Sequence, residues 1–141
     1  DARDQYRCVR CGKPFHWSGF SRHHRRLRSH KWPGLHEASN LILACGSGDT
    51  GCHGWIHAHP REAMSLGYIV SGFNDHPELV PILTAQHGWV LLDDKGVDAM
   101  RTAEAVSLLF ILFCRDPQFR RALYKLDPVL FRRFTNGEVW L

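Results

Sequence analysis

The sequence predicts an α+β protein built around bound metal, and three observations support this. A short apolar run, Leu41–Ala44, has the composition of a buried strand. A helix is predicted over Cys52–His57, where His53 and His57 are four residues apart and so share one helix face. From Val97 onward, apolar residues recur at steps of three and four, which predicts a helical tail.

Size and composition indicate one folded domain, or a small domain with an appendage. The chain has 141 residues, of which 44% are apolar and 11% aromatic, as in folded globular proteins. No apolar run reaches the ~20 residues that span a bilayer, so we expect no membrane association. The polar start, residues 1–7, lacks the pattern of a signal peptide, and we therefore expect a cytoplasmic location.

Charge is unevenly distributed along the chain. Residues 1–34 contain nine Lys or Arg against two acids, residues 35–99 two against eight, and the remainder seven against four. A concentrated basic segment attracts polyanions such as nucleic acid. A solvated basic face remains the alternative interpretation of the same charges.

The metal-rich half begins with a predicted zinc knuckle at residues 6–15, where Gly12 and Pro14 tighten a turn. Residues 17–28 are strongly basic and predict either an extended segment or a helix, and residues 29–39 predict a loop. After the strand at 41–44, the glycine-rich residues 46–51 predict another loop. Pro60 then begins a second helical turn through Met64.

Beyond Gly67 the predicted elements are short strands followed by helices. Strands are expected at Tyr68–Val70 and Gly88–Leu92, a short extended piece at Pro81–Leu83, and a turn at residues 93–96. Helical patterns run from Val97 to Phe113, from Pro117 to Leu126 and from Pro128 to Phe134. We therefore divide the chain into a metal-rich half, residues 1–96, and a helical C-terminal extension, residues 97–141.

Cysteine usage favours metal binding. The count of five is odd, two pairs lie close to histidines, and there is no secretory signal, so zinc is favoured over disulfides. The fifth, Cys114, lies in an apolar helical run, and we expect it to be a buried small hydrophobe.

One interpretation of the cysteines is a zinc finger with two Cys and two His ligands. The spacing Cys8-x2-Cys11-x12-His24-x5-His30 fits such a finger. However, Ser21 stands where fingers place a large aliphatic residue. This interpretation also gives no role to the later cysteines and histidines, Cys45, Cys52, His53 and His57.

A second interpretation uses all of these residues. Four elements occur in order: Cys8-x2-Cys11, Arg22-His23-His24-Arg25, Ser39-Asn40-Leu41 before Cys45, and Cys52-His53-x3-His57. From Cys8 to about Val70 this pattern resembles the HNH endonucleases, in the zinc-stapled form common in bacteriophages. The metal motif of that family is a β-hairpin followed by a helix. The resemblance therefore implies a ββα-metal core with a structural zinc held by four cysteines.

The resemblance also implies residue roles. It implies that His24 is the general base, that Asn40 orients His24 or braces the loop, and that a catalytic divalent ion (Mg²⁺, Mn²⁺, Ni²⁺ or Zn²⁺) is bound. It further implies a metal-dependent endonuclease acting on DNA, present in host cytoplasm if phage-encoded, with the terminase of genome packaging as a possible partner. The implied metal ligands are His23, His53 and His57 for the catalytic ion, and Cys8, Cys11, Cys45 and Cys52 for the structural zinc.

The residue types suit this chemistry. Phosphodiester hydrolysis needs an activated water and stabilisation of charge on the leaving oxygen. Adjacent histidines on a strand point to opposite faces, so one can face a metal while the other accepts a proton. The flanking arginines, Arg22, Arg25, Arg26 and Arg28, are expected to contact phosphates.

Two alternatives stay open. One is a non-catalytic zinc module that binds nucleic acid through its basic N-terminal third. The other is a structural protein whose helical tail docks a larger assembly. The remaining histidines without an assigned role are His16, His30, His36, His76 and His87.

Overall fold

The computed structural model describes residues 1–16, 19–95 and 102–137. Its strands are β1 (Phe20–His24), β2 (Leu41–Cys45), β3 (Ile82–Thr84) and β4 (Gly88–Val90). Its helices are α1 (Gly51–Ala58), α2 (Pro60–Ser65), α3 (Thr102–Arg115), α4 (Pro117–Leu126) and α5 (Pro128–Thr135), with short 3-10 turns at Ala38–Asn40 and Pro77–Leu79. The predicted α+β class is confirmed.

The strands β1 and β2 pair antiparallel, with His23 opposite Ile42 and His24 opposite Leu41. The predicted strand at 41–44 is confirmed. Within residues 17–28 the extended alternative is confirmed for Phe20–His24, whereas residues 25–28 form bends and a turn and Trp17 and Ser18 lie outside the described residues. Helix α1 packs against β2. Apolar side chains of both elements, Ile42 and Ile56 among them, are fully buried in one cluster. This packing fixes the helix relative to the hairpin.

The loop between β2 and α1 closes tightly because of two glycines. Gly46 and Gly51 have φ angles of +90° and +60°, a region that other residues adopt at a cost. A Cβ on Gly46 would lie 2.0 Å from the carbonyl oxygen of Thr50, so there is no space for a side chain. The loop therefore brings Cys45 and Cys52 together although six residues separate them.

The predicted strand at Tyr68–Val70 is wrong. Residues 66–70 form turns and bends after α2, and Gly67 has a φ of +78°. The Tyr68 N–H donates to the Ala63 carbonyl at 2.8 Å, and the Val70 N–H donates to the Arg25 carbonyl at 2.8 Å. These bonds satisfy the buried backbone without a sheet partner.

The second hairpin, β3 with β4, and the helices α3 to α5 complete the molecule. The predictions of an extended piece near 81–83, a strand from Gly88, and helices over 117–126 and 128–134 are confirmed. Each of the last two helices begins with proline and is capped by an aspartate: Asp116 accepts from the Gln118 N–H, and Asp127 from the Leu130 N–H. None of the helices in the described part of the chain is long and apolar enough to cross a membrane.

One hydrophobic cluster includes residues from both predicted parts of the chain, from Val9 to Phe134. The Trp89 indole N–H also donates to Asp127 at 3.1 Å, joining β4 to the start of α5. The division at residue 96 stays a prediction, because residues 96–101 lie outside the described ranges, as does the expected helix start at Val97. The prediction for Cys114 is wrong: its side chain is exposed, since it faces away from the buried stripe of α3.

Candidate metal centre and active site

Four cysteine thiols meet between the N-terminal turn and the start of α1. The Sγ atoms of Cys8, Cys11, Cys45 and Cys52 all lie within 4.8 Å of one another, and none forms a disulfide. The Cys11 and Cys45 Sγ atoms are 3.8 Å apart. Zinc–sulfur bonds of about 2.3 Å in a tetrahedron place sulfurs about 3.8 Å apart. The cluster therefore fits a zinc site with four thiolate ligands.

The surroundings of the four thiols affect how readily each one ionises. Burial raises the pKa of the Cys8 and Cys52 thiols. For Cys45, burial acts in the same direction, but hydrogen bonds from the Cys52 backbone and the neighbouring thiols outweigh it and lower the pKa. Arg10 donates to the Cys52 Sγ at 3.6 Å and lies 3.8 Å above the Trp55 ring. Its positive charge balances part of the negative charge that four thiolates carry.

Three histidines form a second cluster, on the face of α1 that meets β1. One ring nitrogen from each of His23, His53 and His57 lies within 4.8 Å of the others. The Nε2 atoms of His53 and His57, one helical turn apart, are separated by 3.1 Å. This separation matches two ligands of one metal with bonds near 2.0–2.1 Å. The three rings therefore fit a shared metal ion.

The hydrogen bond and the burial of His23 favour the form of the ring that binds metals. Its Nε2 is 3.0 Å from the carbonyl oxygen of Tyr68, which fixes the proton on Nε2 and leaves Nδ1 available as a ligand. Burial, together with the charges of His53 and His57, lowers the pKa of His23 to about 3, against the backbone hydrogen bond that raises it. The ring is therefore neutral at physiological pH, which is the form that binds metals.

His24 points to the other face of β1, as expected for the next residue on a strand. Its Nε2 is 3.2 Å from Nδ1 of His36, and the two rings are in edge-to-face contact. Partial burial first, and then the charges of His36 and Arg28, lower the pKa of His24. The sequence indicates no role for His36, and its contact with His24 is a finding of the structure.

Asn40 is fully buried at the base of the β1–β2 loop. Its side-chain oxygen accepts from the Arg26 N–H at 2.7 Å, and its nitrogen donates to the carbonyls of Leu35 at 2.9 Å and of Arg26 at 3.3 Å. Its own carbonyl accepts from the Arg25 N–H at 2.8 Å. Of the two roles implied by resemblance, this geometry supports bracing of the loop.

Residues 8–58, just over a third of the chain, match the family model described as HNH endonuclease. The chain contains an HNH endonuclease domain. No curated protein and no solved structure matches the chain. The HNH match covers both clusters, from Cys8 to His57, and indicates a nuclease or another function related to nucleic acids.

The zinc-finger interpretation is wrong for this HNH domain. The group that the structure assembles with Cys8 and Cys11 consists of Cys45 and Cys52. His24 instead pairs with His36 on the outer face of β1.

Of the four arginines that flank the histidine doublet, two have exposed side chains and two have buried ones. Arg22 and Arg28 are exposed, and Arg22 forms an ion pair with Asp1. Arg25 and Arg26 were predicted to contact phosphates, but both side chains are buried and so cannot reach a bound nucleic acid. Arg25 has no exposed surface, and Arg26 pairs with Asp75 and lies 5.1 Å from the centre of the Trp32 ring.

Arg25 instead has a structural role. Its guanidinium donates to the carbonyls of Gly67 and Val80, both at 2.7 Å, and to those of Ser39 and Pro77, both at 3.0 Å. Burial, with a contribution from the charge of Arg3, lowers the pKa of Arg25 to about 9, so the group is charged at neutral pH. A buried charge is retained because these carbonyls replace its water.

Proposed function

We propose that this chain is a metal-dependent HNH endonuclease that hydrolyses phosphodiester bonds in DNA, on a ββα-metal core. The observation that carries the proposal is the arrangement of the histidine doublet. His23 meets His53 and His57, while His24 lies on the opposite face of the same strand. A protein that used metal only as scaffold has no need of a second, differently oriented histidine beside a ligand.

His23, His53 and His57 would hold the catalytic divalent ion. When bound, such an ion supplies Lewis-acid stabilisation of charge on the phosphate oxygens. The plasmid-cleavage experiment described below tests which of Mg²⁺, Mn²⁺, Ni²⁺ and Zn²⁺ supports cleavage. The three-histidine donor set suits the transition metals better than Mg²⁺, which prefers oxygen ligands.

His24 would act as general base. The Nε2 atom of His24 lies 3.2 Å from Nδ1 of His36. In the tautomer in which His24 Nε2–H donates to His36, the lone pair of the His24 ring is on Nδ1 of His24. That nitrogen can then accept the proton of an attacking water. The lowered pKa of His24 keeps the ring unprotonated at neutral pH. His36 is in this proposal a positioning residue, since it selects the tautomer of His24.

The four-cysteine cluster would hold a structural zinc. Phe20 is the partly buried hydrophobic residue packed against the buried cysteines, and metal–thiolate bonds would supply stability that this small cluster does not. Cys52 and His53 are adjacent, so the two metals would be linked through one peptide unit. Arg22 and Arg28 would contact DNA phosphates beside His24.

We further propose that the chain is phage-encoded and acts in genome packaging with the terminase, in the host cytoplasm. This part rests on the resemblance to zinc-stapled phage HNH nucleases. A non-catalytic zinc-dependent nucleic-acid-binding module is the second candidate, and the basic residues 1–34 favour it equally.

Plasmid cleavage tests the proposal. Supercoiled plasmid is incubated with the purified protein and each of Mg²⁺, Mn²⁺, Ni²⁺ and Zn²⁺, and nicked and linear products are quantified. We expect cleavage with at least one ion and a loss of about 100-fold or more in His24→Ala, the contribution typical of a general base.

His87→Ala is the matched control, because His87 is exposed and lies outside both clusters. It should cut like the parent. Binding of plasmid without cleavage under every ion, with zinc bound, would instead establish the non-catalytic module.

A further inference from the structure

A groove of about 960 Å³ lies away from the metal clusters, between α2 and the helices α4 and α5. Arg61 and Ser65 of α2 form one wall, and Arg121 and Lys125 of α4 form the other. Phe131 of α5 contributes apolar surface. The volume lies at the upper end of the range for pockets that hold organic ligands.

The groove is strongly basic. Among the described residues that line it, Arg61, Arg120, Arg121 and Lys125 are cationic, and Glu62 is acidic. Within the part of the chain that the structure describes, none of the four cations forms an ion pair with a carboxylate. Unpaired cations gathered in a concave surface attract a polyanion more strongly than the same charges on a convex one.

The groove also presents an aromatic ring. Tyr124 is 63% exposed, unusually high for a tyrosine on a packed helix. The edge contact with Phe131, at 5.2 Å between ring centres, supports the ring on one side. An exposed, supported aromatic ring among cations is the arrangement on which unpaired bases stack.

We infer that this groove binds a single strand of nucleic acid that continues from the cleavage site, an inference that rests on the proposed nuclease function. The connection is short: α2 follows α1 after His59, and Arg61 is four residues beyond His57. The Cα atoms of His57 and Arg61 are therefore at most ~14 Å apart. At about 3.4 Å per nucleotide, a strand at the histidine cluster reaches the groove within about four nucleotides.

An acidic peptide is the competing occupant. Its carboxylates would pair with the cations, but Asp and Glu side chains have no aromatic ring to stack on Tyr124. The exposed ring therefore favours nucleic acid, and it favours a single strand, because a base in a duplex is already stacked and paired.

Binding is tested by fluorescence anisotropy with a short labelled single-stranded DNA, using the zinc-loaded full chain with His24→Ala as the common background so that cleavage is suppressed. We expect Tyr124→Ala to weaken binding about 5-fold or more, the effect of one lost base stack. The double variant Arg121→Gln, Lys125→Gln should reduce the slope of log affinity against log salt by about 1.4.

Phe73→Ala and Arg132→Gln are the matched controls, since both side chains are exposed and lie outside the groove lining. Neither should weaken binding comparably. Unchanged affinity in Tyr124→Ala overturns the inference, as does displacement of the DNA by a poly-glutamate peptide at equal concentration of charge. Because the groove variants are compared by binding alone, failure of the groove appears in this assay, whereas failure of the nuclease proposal appears in the plasmid-cleavage assay.

Discussion

The Nε2 atom of His24 lies 3.2 Å from the Nδ1 atom of His36, across a loop whose ends are fixed by Asn40. The pair lies on the face of β1 opposite to His23 and its two partners. One strand therefore places a metal-cluster histidine and a hydrogen-bonded histidine in adjacent positions.

This pair predicts an effect of His36 on turnover. Replacing His36 by Leu removes the acceptor that fixes the His24 tautomer, and we expect kcat for DNA cleavage to fall about 10-fold with KM unchanged. His36→Gln keeps an acceptor oxygen and should recover part of the loss. Steady-state cleavage kinetics measure both variants. Parental kcat in His36→Leu would remove His36 from the mechanism.

The burial of His23 predicts a pH dependence of folding in protein without the histidine-bound metal. The folded pKa of about 3 is below the ordinary value of 6.5, so His23 stabilises the fold above pH 6.5. That contribution is lost progressively as pH falls from about 6.5 towards 3. Urea unfolding at several pH values measures it.

The matched comparison is His23→Gln, which cannot titrate. The difference in unfolding free energy between parent and variant should shrink on acidification across this window. A difference that stays constant with pH would contradict the prediction.

The cysteine cluster predicts which thiols hold zinc. We expect Cys45→Ser to lose bound zinc and much of the folded structure, because it removes one of four ligands. Cys114→Ser should keep the parental zinc content, since its thiol is exposed and outside the cluster. Metal analysis per chain and circular dichroism give both readouts. Full zinc retention in Cys45→Ser would exclude the four-cysteine assignment.

Asn40 predicts a loss of stability in addition to any loss of activity. Asn40→Ala leaves the buried Arg26 N–H and the part-buried Leu35 carbonyl without their partner. The loss costs about 1–3 kcal/mol for the buried N–H and less for the carbonyl, which water can reach. Denaturant unfolding measures the change. The exposed Asn136 gives the control, since Asn136→Ala should change stability by less than about 0.5 kcal/mol.

We expect substitution of buried Arg25 to lower stability and substitution of exposed Arg28 to weaken DNA binding. Arg25→Met removes the guanidinium donor from the carbonyls of Ser39, Gly67 and Val80, while the Pro77 carbonyl still accepts from the Val80 N–H, and the change should cost about 3 kcal/mol or more of folding free energy. Arg28→Gln should leave stability unchanged but lower the salt slope of duplex DNA binding by about 0.9. Melting curves and salt-dependent binding assays distinguish them. The reverse pattern would restore Arg25 as a phosphate contact.

The features predicted from sequence depend on short spacings and simple periodicity. The interval from His53 to His57 predicts that the two rings share a helix face, whereas the addition of His23 to the cluster was implied by the resemblance to the HNH endonucleases. The helical patterns from Pro117 and from Pro128 likewise predicted α4 and α5. The antiparallel register of β1 and β2 was not predictable from residue types alone, because it depends on tertiary pairing.

The failures have a common physical cause, because residue type does not reveal which partner a group finds. Arg22 and Arg25 have the same charge, yet one is exposed and the other is surrounded by carbonyls. Tyr68–Val70 has strand-like composition, but α2 and Arg25 satisfy its N–H groups. The contact of His36 with His24 depends on how the loop folds, and the sequence alone does not indicate it.

The hydrogen-bond partners of Arg25 place little restriction on which residue types can occupy the partner positions. Every acceptor on its guanidinium is a main-chain oxygen, so Arg25 does not select the side chains at residues 39, 77 and 80. As far as this contact is concerned, those positions can change during evolution while the backbone path is kept. Gly67 is restricted separately, because a Cβ there would lie 2.0 Å from the Pro81 carbonyl oxygen. Arg25 itself has no such freedom, since no other residue supplies five donors in a planar fork.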